Sequence, residues 1–161
     1  MIKVMTIVGT RPEIIRLSRV ISKLDKYCEH IFVHTGQNYD YELNEIFYDE
    51  LGLRSPDYNL KIDTSSLGNV LGNILIKVEE VLKFEKPDSV LILGDTNSSI
   101  AAIIAKRQQI PVYHMEAGNR SFDNQVPEEL NRKIIDHIAD FNLVYTENSR
   151  QHLLSEGLSH R

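Results

Sequence analysis

The chain opens on an apolar run, residues 2–8 (Ile-Lys-Val-Met-Thr-Ile-Val), that stops at Gly9-Thr10-Arg11-Pro12-Glu13 and is followed at once by an amphipathic run. A short stretch this rich in β-branched residues reads as a strand buried on both faces of a parallel sheet. Pro12 suits the first helical position, where its fixed φ is already helical and its missing N–H is not needed. Ile14, Ile15, Leu17, Val20, Ile21 and Leu24 then recur at helical spacing. A strand, a tight turn and a helix in that order predict a Rossmann-like opening. A helix N-terminus at the carboxyl edge of a sheet offers free N–H groups and about half a positive charge. Arg11 and Arg16 add full charges beside it, so the expected guest is an anion.

The same alternation continues to the end of the chain. Strands are expected at residues 31–34, 60–62, 89–93, 112–115 and 141–145. Helices are expected around Leu43, Ile46, Phe47 and Leu51, stopped by Gly52, and from Leu67 to Leu82 behind a capping cluster at residues 63–66. Further helices are expected at 100–107, from Pro127 onward, and at 149–156. Crossovers of about ten to twenty residues predict an α/β fold with a doubly wound parallel sheet, in one domain over residues 1–161. A chain of 161 residues buries roughly 70% of its unfolded surface, enough for a real core. The net charge of −5 argues against nucleic acid or an anionic membrane as partner. The single cysteine, Cys28, excludes an internal disulfide and suits a reducing cytoplasm. No leader precedes the first strand, and no run approaches the roughly 20 apolar residues that span a bilayer. Localisation in the cytoplasm is expected.

Ligands of such sheets bind outside the carboxyl ends of the strands, where the strand order reverses. For the order 3-2-1-4-5-6 that point lies between the strands ending at Gly9 and at Gly94. Arg11 and Asp95 then face one crevice, joined by Glu116 from the next strand end and by Glu128, Glu129 and Arg132 from the following helix start. Folding alone does not demand such a density of charge. Each residue also has a plainer reading. Asp95 and Glu116 suit turn caps, Glu128 and Glu129 suit the first turn of any helix, and Glu128 with Arg132 makes an i, i+4 pair. Gln37 and Asn38 are either turn residues or part of a substrate loop. His114 is expected to be a satisfied core histidine, and His30, His137, His152 and His160 show no ligand spacing, so no metal is expected. There is no Gly-x-Gly-x-x-Gly after the first strand, which weakens a dinucleotide reading, no Walker A run and no nucleophile elbow. Acid/base work on a phosphorylated ligand remains.

Four ordered motifs sharpen this: Gly9-Thr10-Arg11-Pro12-Glu13, Gly94-Asp95-Thr96, His114-Met115-Glu116-Ala117-Gly118 and Pro127-Glu128-Glu129-Leu130-Asn131-Arg132. Together they closely resemble the non-hydrolysing UDP-N-acetylglucosamine 2-epimerase family. The resemblance implies the N-terminal half of a two-domain fold like that of GT-B glycosyltransferases, a missing C-terminal nucleotide-binding domain, and a homodimer. It also implies inversion at C2 of a UDP-linked acetamido sugar by elimination and re-addition of UDP, without a cofactor, for capsule or O-antigen precursors. In that reading Asp95, Glu116 and Glu128 share acid/base duty, Arg11 and Arg16 hold phosphate or sugar, and Gln37, Asn38, Glu129 and Arg132 support the substrate. Asn38, Asn97 and the short segment 119–126 resemble relatives acting on 6-deoxy sugars, including UDP-N-acetyl-L-fucosamine, or on diacetamido sugars. Arg16 stands where the family usually has lysine. The rival expectations are a GT-B nucleotide-sugar glycosyltransferase and an isolated domain without activity.

Overall fold

The structure, a computed structural model, describes residues 1–36 and 47–159. In chain order the elements are β1 (Lys3–Val8), α1 (Arg11–Tyr27), β2 (Glu29–His34), β3 (Tyr58–Asn59), α2 (Leu67–Glu85) and β4 (Ser89–Leu93). A 3₁₀ turn (Asn97–Ile100) runs into α3 (Ala101–Arg107), followed by β5 (Val112–Met115), α4 (Pro127–Ile138), β6 (Phe141–Leu143) and α5 (Glu147–Ser155).

Among the described residues six strands form one parallel sheet in the order β3-β2-β1-β4-β5-β6. Successive side chains of a strand point to opposite faces, and both faces are covered. On one, Val8, Phe32, Leu91 and Leu93 pack against Ile14, Leu17 and Ile21 of α1. On the other, Met5, Ile7, Val33, Val90, Ile92 and Val112 pack beneath Ile74, Val78 and Leu82 of α2, Ala101, Ala102 and Ala105 of α3, and Ile135 of α4. Burying each large aliphatic side chain contributes about 1.5–3 kcal/mol, which is why these runs are continuous rather than alternating. The chain leaves β1 for β2 and β3, then returns to β4 on the other side of β1. The pairings Ile7 with Ile92 and Leu93 with Met115 set the carboxyl ends of β1, β4 and β5 along one edge. The reversal expected between Gly9 and Gly94 is therefore where the fold has it.

Several boundaries differ from the sequence expectation, among them the start of the second strand, which is Glu29 and not residue 31. Pro12 is the second residue of α1, because Arg11 already begins the helix. The edge strand is Tyr58–Asn59, not residues 60–62, since Lys61 turns into the left-handed region (φ +46°) and ends the extended run. Ile62 is nevertheless wholly buried, so its apolar character serves the core without belonging to a strand. β6 ends at Leu143, and α5 begins at Glu147, where the Thr146 hydroxyl accepts the Ser149 N–H. Leu43 and Ile46 of the expected short helix lie outside the described residues; its last turn, residues 47–50, is helical and Gly52 follows at φ +65°. Among the described residues no helix is long and apolar enough to cross a membrane.

Candidate active site

Four chain segments meet at the carboxyl edge of the sheet. The first is the head of α1. Glu13 folds back from the first turn, and one of its oxygens accepts the Gly9 N–H (2.9 Å), the Thr10 N–H (2.7 Å) and the Thr10 hydroxyl (2.8 Å). Its other oxygen accepts the Thr96 hydroxyl at 3.1 Å, which ties the β1 turn to the β4 turn. Burial raises the Glu13 carboxyl above its ordinary range, against the pull of these donors. Sequence reasoning assigned Glu13 no role, although Thr10-x-x-Glu13 before an apolar run is a capping-box signature.

The second and third segments carry the central carboxylates. Asp95 follows Gly94 (φ +73°) at the end of β4. Glu116 follows β5 in the left-handed region itself, at φ +64°, a strained conformation for a residue with a Cβ, of the kind that persists where surrounding contacts over-determine it. Those contacts come from the fourth segment, α4. One nitrogen of the Arg132 guanidinium bonds the Glu116 carbonyl; the other bonds the Asp95 carboxylate and lies 3.0 Å from Glu116 Oε1. Arg16 of α1 bonds the remaining oxygen of Glu116. Asn131 adds donors to the Asp95 carbonyl (2.9 Å) and to Asn97 (3.2 Å). Burial is the largest influence on Asp95 and pushes its carboxyl up; the Glu116 and Glu128 charges push the same way and Arg132 opposes them.

Asp95, Glu116, Arg132 and Arg16 are thus brought together as a group. Glu128 is exposed and, with Asp95, Ser121, Glu129 and Arg132, lines an open cavity of about 230 Å³. Glu129, on the same lining, is buried. One oxygen accepts the Ser121 N–H (2.8 Å) and hydroxyl (3.2 Å), and the other faces Lys133 at 3.2 Å, so it anchors the segment before α4. Arg11 sits at the head of α1 with its guanidinium 5.9 Å from the centre of the Phe47 ring. Gln37 and Asn38 lie outside the described residues. A larger cavity, about 600 Å³, opens beside β6 between Lys106, Ile138, Asp140 and Leu153, away from these carboxylates. Among the described residues no group of three or more His, Cys, Asp or Glu side chains is placed to hold a metal ion.

Behind the carboxylates lies a buried layer that the sequence reading touched at one point only. His114 is the satisfied core histidine expected of it, bonded to Asp136 and to the Gly94 carbonyl. Asp136 also accepts the Gly118 N–H and an Arg120 N–H, and Arg120 forks onto Glu156. Burial works against the Arg120 charge, but the bonds to Glu156 and Asp136 outweigh it and hold its pKa above the ordinary value. Gly118 is irreplaceable on geometry: φ is +78°, and a Cβ would come within 2.3 Å of the Ser149 carbonyl oxygen. The signal for Asp136 was present, since Glu129, Arg132 and Asp136 fall at i, i+3 and i+7 on the inner face of α4.

Comparison with known proteins adds to this geometry. Residues 22–161 match the family model described as UDP-N-acetylglucosamine 2-epimerase. The solved UDP-N-acetylglucosamine 2-epimerase of Rickettsia bellii superposes with a TM-score of 0.93 at 59% identity, over 99% of this chain and 43% of that one. That of Methanocaldococcus jannaschii, in complex with UDP-GlcNAc and UDP, superposes with a TM-score of 0.93 at 44% identity, over 98% and 44%. The UDP-2,3-diacetamido-2,3-dideoxy-D-glucuronate 2-epimerase of Pseudomonas aeruginosa is 40% identical over 99% of this chain and 46% of its own length. The chain spans less than half the length of the curated relatives it matches.

Proposed function

We propose, from the premise that this chain belongs to the UDP-N-acetylglucosamine 2-epimerase family, that the full-length protein inverts C2 of a UDP-linked 2-acetamido sugar. Residues 1–161 are its N-terminal α/β domain, and a C-terminal domain completes the nucleotide site. The observation that carries the reading is the single guanidinium of Arg132 held between Asp95 and Glu116 at the point of strand reversal. One carboxylate takes the C2 proton while the C1–oxygen bond breaks and its electron pair leaves with UDP, giving a glycal-type intermediate. A carboxylic acid then protonates the opposite face of C2, and UDP adds back at C1. Asp95, Glu116 and Glu128 supply the acid/base groups, and burial raises the Asp95 carboxyl above its ordinary range. Arg11 and Arg16, beside a helix N-terminus, supply positive charge for the departing phosphate. Gln37, Asn38, Glu129 and Arg132 complete the substrate set.

The substrate is a UDP-acetamido sugar. UDP-GlcNAc is supported by its presence in the M. jannaschii complex, and a diacetamido sugar by the P. aeruginosa relative. Asn38, Asn97 and the short segment 119–126 favour a 6-deoxy or diacetamido sugar, which suits capsule or O-antigen synthesis in the cytoplasm by a homodimer. This chain alone binds UDP-sugar weakly and turns over negligibly. The test is proton NMR of the full-length protein in D₂O with UDP-GlcNAc and with UDP-linked 6-deoxy and diacetamido sugars. Deuterium at C2 of one of them supports the proposal and identifies the substrate; no incorporation into any refutes it.

A further inference from the structure

His114 is fully buried, and both of its ring nitrogens face acceptors. Nδ1 lies 2.9 Å from Oδ1 of Asp136, and Nε2 lies 2.7 Å from the Gly94 carbonyl oxygen. A carbonyl cannot donate. Asp136 is equally buried, and its oxygens already receive the Gly118 N–H (3.3 and 3.1 Å) and an Arg120 N–H (2.7 Å), the partners of an ionised, acceptor-only carboxylate. An imidazole between two acceptors satisfies both only with a proton on each nitrogen. Charge in this layer then balances: His114 and Arg120 are positive, while Asp136 and Glu156, which takes two further Arg120 N–H groups at 2.7 Å, are negative.

His114 and Asp136 together join the two loops of the site. Gly94, held through its carbonyl, precedes Asp95; Gly118, held through its N–H, lies two residues past Glu116. Gly94, Glu116 and Gly118 are all left-handed, at φ +73°, +64° and +78°. Of the three only Glu116 carries a Cβ, and a non-glycine residue keeps that conformation only where surrounding contacts fix it. We propose that His114, protonated on both ring nitrogens, is a positioning residue that with Asp136 clamps the Asp95 loop to the Glu116 turn. This rests on the reading of those carboxylates as the reacting groups.

The full-length protein, ¹⁵N-labelled at histidine, is examined by long-range ¹H–¹⁵N correlation at about pH 7. A proton on each His114 nitrogen is expected; a proton on one nitrogen only overturns the clamp. His114→Asn offers a shorter amide that reaches Asp136 but not Gly94. Its kcat for C2 inversion is expected to fall about 100-fold with KM little changed, the loss that follows from a displacement of about 1 Å at a reacting group. A folded His114→Asn protein with kcat within about twofold of wild type overturns the proposal, because a clamp missing one jaw would then be dispensable. If the variant does not fold, the ring-proton measurement on wild type decides. Absence of C2 exchange in the wild-type protein instead counts against the epimerase reading, and the ring protons are read independently of it.

Discussion

Replacing Arg132 by methionine isolates the interaction on which the site is built. Methionine retains much of the apolar stem while removing the guanidinium that bonds Asp95, the Glu116 carboxylate and the Glu116 carbonyl. The three side chains are only 6%, 23% and 11% exposed for Arg132, Asp95 and Glu116. At 3.0 Å from Glu116, with an effective dielectric of about 20, the ion pair is worth about 5–6 kcal/mol before desolvation. Removing Arg132 leaves the partly buried Asp95 without a cation and Glu116 with Arg16 alone, which costs about 3–5 kcal/mol net, a large share of the roughly 5–15 kcal/mol that holds a domain together. The loss has a pH signature. Burial and the neighbouring charges already raise Asp95, and Arg132 is the opposing influence; without it the carboxyl rises further above 3.8. Between 3.8 and that higher value the folded chain keeps a proton that the unfolded chain has released. Stability therefore falls as pH rises through the window. Urea denaturation of Arg132→Met against wild type should show the full penalty at about pH 7 and a smaller one at about pH 4.5. A penalty below about 1 kcal/mol at neutrality, or one that grows on acidification, refutes the reasoning.

Gly118→Ala meets both a left-handed φ and the Ser149 carbonyl at 2.3 Å, and is expected to cost at least about 3 kcal/mol in thermal unfolding. A change below about 1 kcal/mol would mean that the turn after Glu116 is not pressed against α5. Glu13, raised by burial above 4.5, makes wild-type stability decline as pH rises through the interval between 4.5 and its folded value. Glu13→Gln should flatten that slope in denaturation curves, and an unaltered slope would place the titration elsewhere.

Much of the scaffold was legible because strands covered on both faces must be apolar throughout, so residues 3–8, 89–93 and 112–115 announce themselves without reference to their neighbours. β3 did not. A two-residue edge strand beside Val33 and His34 is decided by tertiary pairing, and the apolar Leu60 and Ile62 drew the assignment two residues downstream. The site was legible to the extent that strand ends and helix starts converge by topology, which brought Asp95, Glu116 and Arg132 to one rim before any coordinates. Side-chain direction was not legible. Glu128 and Glu129 are adjacent and chemically alike, yet one faces solvent over the cavity and the other is buried against Ser121, because consecutive positions on a helix point about 100° apart. Arg120 lies in a segment without periodicity, so nothing in its spacing could reveal that it bridges Asp136 and Glu156.

The central claim is that Asp95 and Glu128, with Glu116, move the proton at C2. The most direct test is the rate of solvent deuterium entry at that carbon in the full-length protein, measured by proton NMR for wild type, Asp95→Asn and Glu128→Gln. Loss of one carboxylate should slow exchange by about 10²–10⁴-fold, or about 3–5 kcal/mol of barrier. Exchange at the wild-type rate in both variants would contradict the account.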